Sequence, residues 1–108
     1  MAYFDTKTIN AVWEKAIIVN IKDADVLRKD YAGAWIKKTD YGNCNSDYGW
    51  EIDHQQPVSK QGTDDLNNLV PLQWENNRSK GDSYPEWSTV VSSYGENYYR
   101  VTQFWKSC

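Results

Sequence analysis

The sequence is short of several residue types that common kinds of protein site require. Its 108 residues include one histidine, two cysteines, three prolines and one methionine. Cys44 and Cys108 lie far apart and form no Cys-x-x-Cys pair, so a structural zinc site of the usual four-ligand kind cannot be built from them. No apolar run is long enough to span a bilayer, and residues 1–5 do not start a basic segment followed by an apolar one. We therefore expect a cytoplasmic protein with reduced thiols and no membrane partner. A disulfide between Cys44 and Cys108 is the alternative.

The chain also lacks an excess of positive charge. Twelve basic residues stand against fifteen acidic ones, for a formal charge of -3. This balance argues mildly against a protein that grips nucleic acid by releasing many counterions. Distribution matters more than the sum, however, and five basic residues flank the segment that carries the chemistry discussed below. We expect a local basic rim formed by Lys37, Lys38, Lys60, Arg78 and Lys80.

Aromatic residues are abundant. They make up 15% of the chain, with six tryptophans and eight tyrosines. A chain of this length suits one domain, here residues 1–108, and large rings supply much of the core volume that short chains find hard to assemble. Trp35, Trp50 and Trp74 lie close in sequence to the candidate site and are of the type that stacks on bases. We favour the core for all three.

The flanking segments show local patterns of both helix and strand, so we expect an α+β fold. Residues 5–19 have apolar residues at helical spacing, with Asp5 or Thr6 available as the cap. The secondary structure of residues 20–30 is left open. The pattern predicts a strand for residues 31–36 and a loop for residues 37–47. Residues 87–93 and 97–105 favour an aromatic-rich hairpin, with a helix starting at residues 84–86 as the rival.

The centre of the chain predicts a strand, a loop, a strand and a helix in that order. Trp50–His54 is strand-like and ends on the only histidine, which directly follows a carboxylate. Residues 59–65 are rich in turn formers, and residues 67–72 predict a second short strand. Residues 73–82 predict a short helix stopped by a glycine. This order is typical of a metal-dependent nuclease.

The residue types in this segment fit hydrolysis of a phosphodiester bond. An imidazole such as that of His54 is neutral over much of the physiological pH range and can take a proton from water. Asp53 and Asn77 offer oxygen ligands of the kind that Mg²⁺ or Mn²⁺ accepts while keeping waters in its other positions. The adjacent Asn76 is an alternative ligand. Asn68, on the second strand, is placed to hold the backbone around His54 and so orient the imidazole.

Taken together, Asp53-His54, Asn68-Leu69 and Asn77 with Lys80 three residues later resemble the HNH endonuclease family of the ββα-metal superfamily. The resemblance spans about residues 49–82. It implies one divalent metal ion held by Asp53 and Asn77, with His54 as the base that activates water and Asn68 as the residue that orients it. It also implies that Lys60, Arg78 and Lys80 lie near the phosphates.

The chain departs from the family pattern at Gln55-Gln56, where the family is often aliphatic, and at the places of the zinc-binding cysteines. Many members carry paired cysteines that bind zinc, whereas Gln73 and Asn76 stand in the corresponding places here. Neither side chain can replace a thiolate, so we expect no structural zinc.

The leading hypothesis is a metal-dependent endonuclease that hydrolyses DNA and leaves 5′-phosphate and 3′-hydroxyl ends. The alternative is a non-catalytic module that keeps the HNH fold and binds nucleic acid or protein. A third hypothesis is a toxin-type nuclease held inactive by an immunity protein. The sequence leaves open whether the substrate is double-stranded DNA, single-stranded DNA or RNA.

Overall fold

The structure is a computed structural model that describes residues 4–20, 22–94 and 97–100, with only the backbone of 94 and 97–100. The helices and strands in chain order are α1 (Thr6–Trp13), β1 (Leu27–Lys29), β2 (Trp35–Lys37), β3 (Trp50–His54), β4 (Leu69–Gln73), α2 (Trp74–Lys80), β5 (Val91–Tyr94) and β6 (Asn97–Arg100). In this part of the chain, β1 pairs with β2, β3 with β4, and β5 with β6, each pair antiparallel. The predicted α+β class is confirmed.

Helix α1 begins where the sequence predicts and ends earlier. The Asp5 carboxylate accepts a hydrogen bond from the Thr8 backbone N–H at 2.8 Å and caps the first turn. The prediction of a helix as far as residue 19 is wrong, because α1 ends at Trp13. The chain then turns, and Ile17 exchanges two backbone hydrogen bonds with Lys29 at 2.7 and 2.9 Å. Pairing with strand β1 has overridden the helical periodicity.

The β3–β4 hairpin and helix α2 carry the predicted motif. Strand β3 has the predicted bounds, and its last residue, His54, lies opposite Leu69. The second strand is displaced from its predicted start, because Leu66–Asn68 forms a turn of 3₁₀ helix before β4. Strand β4 runs directly into α2, whose first turn is capped by the Gln73 side chain, and Gly81 ends the helix.

The hairpin lies between the two helices. Trp50 and Ile52 belong to the buried cluster that includes Val12 and Trp13 of α1. Because successive strand residues point to opposite faces, Glu51 and Asp53 face α2 instead. Their contacts with α2 agree with this: the Glu51 carboxylate binds Asn77, and the Asp53 carboxylate binds Lys80. The main core therefore fills the α1 side, and the polar side chains of β3 meet α2.

The three tryptophans near the motif are in the interior, as predicted. Their exposed fractions are 3% for Trp35, 0% for Trp50 and 4% for Trp74. The Trp50 ring lies 5.5 Å from that of Trp13 and 4.9 Å from that of Tyr41, measured between centroids. None of the three is available to stack on a nucleic acid base in this structure.

The C-terminal part of the described chain contains the predicted hairpin rather than its helical rival. Strands β5 and β6 pair antiparallel, and no helix begins at residues 84–86. Val90 and Val91 pack against Ala34 in a second, smaller buried cluster. The part of the prediction that covers residues 101–105 lies outside the described residues.

The structure bears on two expectations drawn from the sequence, the reduced thiols and the absence of a membrane-spanning segment. Cys44 is disulfide-bonded, so the expectation of a reduced thiol is wrong for this residue; Cys108 lies outside the described residues. Within the described ranges, no helix has both the length and the apolar character needed to cross a bilayer. The cytoplasmic location stays a prediction.

Candidate active site at the end of strand β3

Asp53 is the buried carboxylate of the candidate site. It is 5% exposed, and its Oδ1 accepts a hydrogen bond from the Lys80 ammonium at 3.2 Å. The same ammonium donates to the His54 backbone carbonyl at 3.0 Å. The other oxygen, Asp53 Oδ2, is buried and has no hydrogen-bond partner. Burial raises the pKa of Asp53, and the charges of Lys80 and then His54 offset part of that effect.

The imidazole of His54 lies on the other side of the strand end, against the long loop. Its Nε2 is 2.6 Å from Oδ1 of Asp64, and its ring centroid is 5.9 Å from that of Phe4. The His54 side chain is 15% exposed, whereas that of Asp64 is 71% exposed. An ionised carboxylate can only accept a hydrogen bond, so Nε2 carries the proton in this pair. The unprotonated nitrogen of the neutral ring is then Nδ1.

Asn68 binds the loop that follows His54. Its amide nitrogen donates to the carbonyls of Gln56 and Thr63, at 3.1 and 2.7 Å, and its amide oxygen accepts from the Gln56 backbone N–H at 2.9 Å. Gly62 allows this loop to close, since a Cβ built there would lie 1.6 Å from the Gln56 carbonyl oxygen. These contacts fix the backbone immediately after the histidine.

The two adjacent asparagines of α2 have different surroundings. Asn76 is fully buried, its oxygen accepts from the backbone N–H groups of Val90 and Val91, and its nitrogen donates to Asp30 and to the Val91 carbonyl. Both the oxygen and the nitrogen of the Asn76 amide are therefore hydrogen-bonded within the fold. Asn77 donates its amide N–H to Glu51 at 2.9 Å, a bond that does not use its oxygen. Asn77 is therefore the better candidate ligand.

A buried polar cluster joins Asp30 to Gln73 and Asn76. Asp30 is fully buried and accepts from the backbone N–H of Gln73 at 2.8 Å and from the Asn76 amide at 3.3 Å. It also accepts from the backbone N–H groups of Ala32 and Ala34. A carboxylate thus joins the β1–β2 turn to the start of α2. No local sequence pattern marks Asp30, because its partners Gln73 and Asn76 are 43 and 46 residues away.

Three residues of the predicted basic rim, those nearest the site, form hydrogen bonds within the chain. The Lys80 side chain is 2% exposed and pairs with Asp53, which differs from the expected phosphate contact on the surface. Arg78 donates to Glu51 at 3.1 Å and stacks over the Trp74 ring, and Lys60 donates to the Asp82 carbonyl at 2.7 Å. Lys80 differs from the expected surface contact because its side chain is buried against the carboxylate of Asp53.

A cleft of about 360 Å³ opens beside the Asp53–Lys80 pair. Lys80 and Asn68 form part of its wall, and three aromatic residues form another part: Tyr31, Tyr84 and Trp87. The Trp87 ring meets that of Tyr31 edge to face at 5.9 Å. Burial and the nearby charge of Asp53 raise the pKa of Tyr31 to about 12, so its hydroxyl stays protonated. Sequence analysis missed this cleft, since its aromatic walls come from distant segments.

The donor set can be tested for its fit to a divalent cation. Among the described residues, no three side chains of histidine, cysteine, aspartate and glutamate converge as a ready metal cluster. The buried, unpartnered Asp53 Oδ2 and the amide oxygen of Asn77 are hard oxygen donors. Two such donors suit an ion that keeps most of its waters, so the residues fit Mg²⁺ better than they fit zinc.

Two antiparallel strands are followed at once by a helix, with Asp-His at the end of the first strand, so β3, β4 and α2 form a ββα unit. The model of the HNH endonuclease family matches residues 31–86, just over half of the chain. The chain belongs to the HNH endonuclease family. No curated protein and no solved structure gives a significant match. Proteins of this family are generally nucleases that act on nucleic acids.

Proposed function

We propose that the protein is a metal-dependent endonuclease that hydrolyses phosphodiester bonds of DNA. One observation carries the proposal: the end of β3 holds a buried carboxylate oxygen of Asp53 without a partner, and the following residue, His54, carries an imidazole whose Nε2 is 2.6 Å from a second carboxylate. Asp53 and His54 are adjacent in the chain, so both functional groups belong to the same end of β3. Family membership supplies the reaction class.

In this mechanism His54 is the general base. Its Nδ1 takes a proton from the attacking water, and Asp64 holds the proton on Nε2 and stabilises the imidazolium that forms. Asp53 Oδ2 and the Asn77 oxygen would hold the divalent cation, which would neutralise the charge that builds on the phosphate and on the leaving oxygen. Asn68 keeps the loop after His54 in place. Lys80 holds Asp53 in position through Oδ1.

The first test uses supercoiled plasmid with Mg²⁺ or Mn²⁺. We expect nicking that EDTA abolishes, and calorimetry should show Mg²⁺ binding that weakens at least about tenfold in Asp53→Asn. Asp82→Asn is the matched control, because Asp82 is exposed and contributes its backbone carbonyl rather than its carboxylate to Lys60. Nicking that survives EDTA, or equal Mg²⁺ binding by both variants, would contradict the proposal.

The alternative function, a binding module that does not cleave, also has an observation in its favour. The Lys80 ammonium already supplies a positive charge to Asp53 in the structure. Binding of oligonucleotide without any Mg²⁺ binding or nicking would support this second function.

Asp64 offers a test of how the base is oriented. Asp64→Ala removes the acceptor of the Nε2 proton, so we expect roughly tenfold slower nicking. Because His54 is the only histidine, its ¹⁵N NMR signals report the tautomer without ambiguity. The wild-type ring should be in the Nε2–H form, and the variant should show a mixture of tautomers.

The neighbouring Asp65 provides the control for that variant. Its carboxylate contacts the Thr63 hydroxyl at 3.1 Å and not the imidazole. Asp65→Ala should leave the tautomer unchanged. If both variants have the same ¹⁵N spectrum as the wild type, Asp64 does not orient the base.

A further inference from the structure

The cleft beside Lys80 combines features that suit a flat ring with polar edges. The Tyr31 and Tyr84 side chains line it and are 47% and 45% exposed, which is unusual for rings in a chain that buries most of its tryptophans. The Trp87 ring meets that of Tyr31 edge to face at 5.9 Å between centroids, so these two rings hold each other in place. The exposed Gln55 lies at the rim with its amide donor and acceptor.

We propose that this cleft binds an unpaired nucleobase, and that the preferred substrate is therefore DNA with unpaired bases, either a single strand or the locally unpaired regions of a supercoiled plasmid. The inference rests on the proposed function and names its substrate class. Aromatic rings contribute to binding by stacking on the face of a base. In a duplex, neighbouring base pairs already cover both faces, so only an unpaired or extruded base can use such a surface. The cleft adjoins Lys80, whose ammonium contacts Asp53, so a base held there is next to the proposed site of hydrolysis.

The charges around the site support the same substrate. Arg78, Lys60 and Lys80 are each hydrogen-bonded to acceptors within the chain, and the net charge is -3. Duplex binding without base contacts depends on neutralising many phosphates and is weak for a protein with this balance. Stacking does not need positive charge, so it can supply affinity here.

The test measures binding of labelled oligonucleotides of about 12 nucleotides by fluorescence anisotropy in EDTA, where no cleavage occurs. We expect single-stranded DNA to bind more tightly than a duplex of the same length, and a strand with abasic sites at its centre to bind as weakly as the duplex. Tyr84→Ala should weaken single-strand binding by roughly 5- to 150-fold, the range for loss of one stacked base.

Two control variants separate stacking from other effects. Tyr84→Phe keeps the ring and should bind within about twofold of the wild type. Ile18→Ala removes an apolar side chain that is 57% exposed and does not line the cleft, and it should bind like the wild type. A duplex that binds as tightly as the single strand, or a Tyr84→Ala variant with unchanged affinity, would overturn the inference.

This inference and the proposed function fail in different ways. If plasmid is nicked in Mg²⁺ but Tyr84→Ala binds single strands normally, the nuclease assignment stands and the cleft does not bind a base. If single strands bind through Tyr84 but no DNA is cleaved with any divalent ion, the cleft is correct and the protein is a binding module.

Discussion

His54→Ala is expected to slow nicking of plasmid DNA by roughly 10²- to 10⁴-fold, the usual contribution of a general base. The loss should be this large because the chain has no second imidazole. The nearby carboxylates of Asp53 and Asp64 are already engaged, one with Lys80 and the other with His54 itself. The measurement is the initial rate of nicking in Mg²⁺, with enzyme in excess over plasmid.

Two further measurements show whether the loss is chemical or structural. His54→Gln keeps an N–H that can donate to Asp64 but cannot take a proton, and it should be as inactive as the alanine variant. Alanine also leaves a space beside Phe4, so added imidazole should restore part of the rate to His54→Ala and none to His54→Gln. Unchanged nicking by a folded His54→Ala protein would remove this residue from the mechanism.

The parts of the fold that sequence predicts well are those fixed by neighbours in the chain. Strand β3 keeps its predicted bounds, α2 has a glycine stop, and Asp5 caps α1, and each signal lies within a few residues of its effect. Helix α1 is overpredicted because the periodic pattern continues through Ile17, while the backbone there pairs with Lys29. A local pattern carries no information about that competition.

The parts that sequence does not predict depend on distant contacts. The Asp64 partner of the histidine lies in a loop whose path is set by Asn68 and by the close approach at Gly62. The aromatic cleft joins Tyr31 to Trp87, and Asp30 joins the β1–β2 turn to the start of α2. Asp64, Tyr31, Trp87 and Asp30 have no periodic spacing and belong to no motif that marks them. They became visible only when the fold brought the segments together.

Asp30→Ala is expected to cause the largest loss of stability of any single change considered. It would leave four N–H donors without their acceptor: the backbone groups of Ala32, Ala34 and Gln73 and the amide of Asn76. Because the site is fully buried, water does not replace the carboxylate, and each orphaned donor costs about 1–3 kcal/mol. We expect a total of about 4 kcal/mol or more, measured by urea denaturation. Asp25→Ala, an exposed carboxylate nearby, should cost less than about 0.5 kcal/mol.

Asp30→Asn tests the charge separately and remains informative if the alanine variant does not fold. Burial raises the pKa of Asp30, against the effect of its four donors. A carboxyl group with a raised pKa stabilises the fold most below its unfolded pKa, and that contribution is lost as the pH rises through the folded pKa. Asparagine keeps one uncharged acceptor oxygen, so the stability of the Asp30→Asn variant should lie between those of the wild type and Asp30→Ala. The difference in free energy of unfolding between the wild type and Asp30→Asn should become smaller as the pH rises. If this difference becomes larger instead, the ionised carboxylate is the stabilising form.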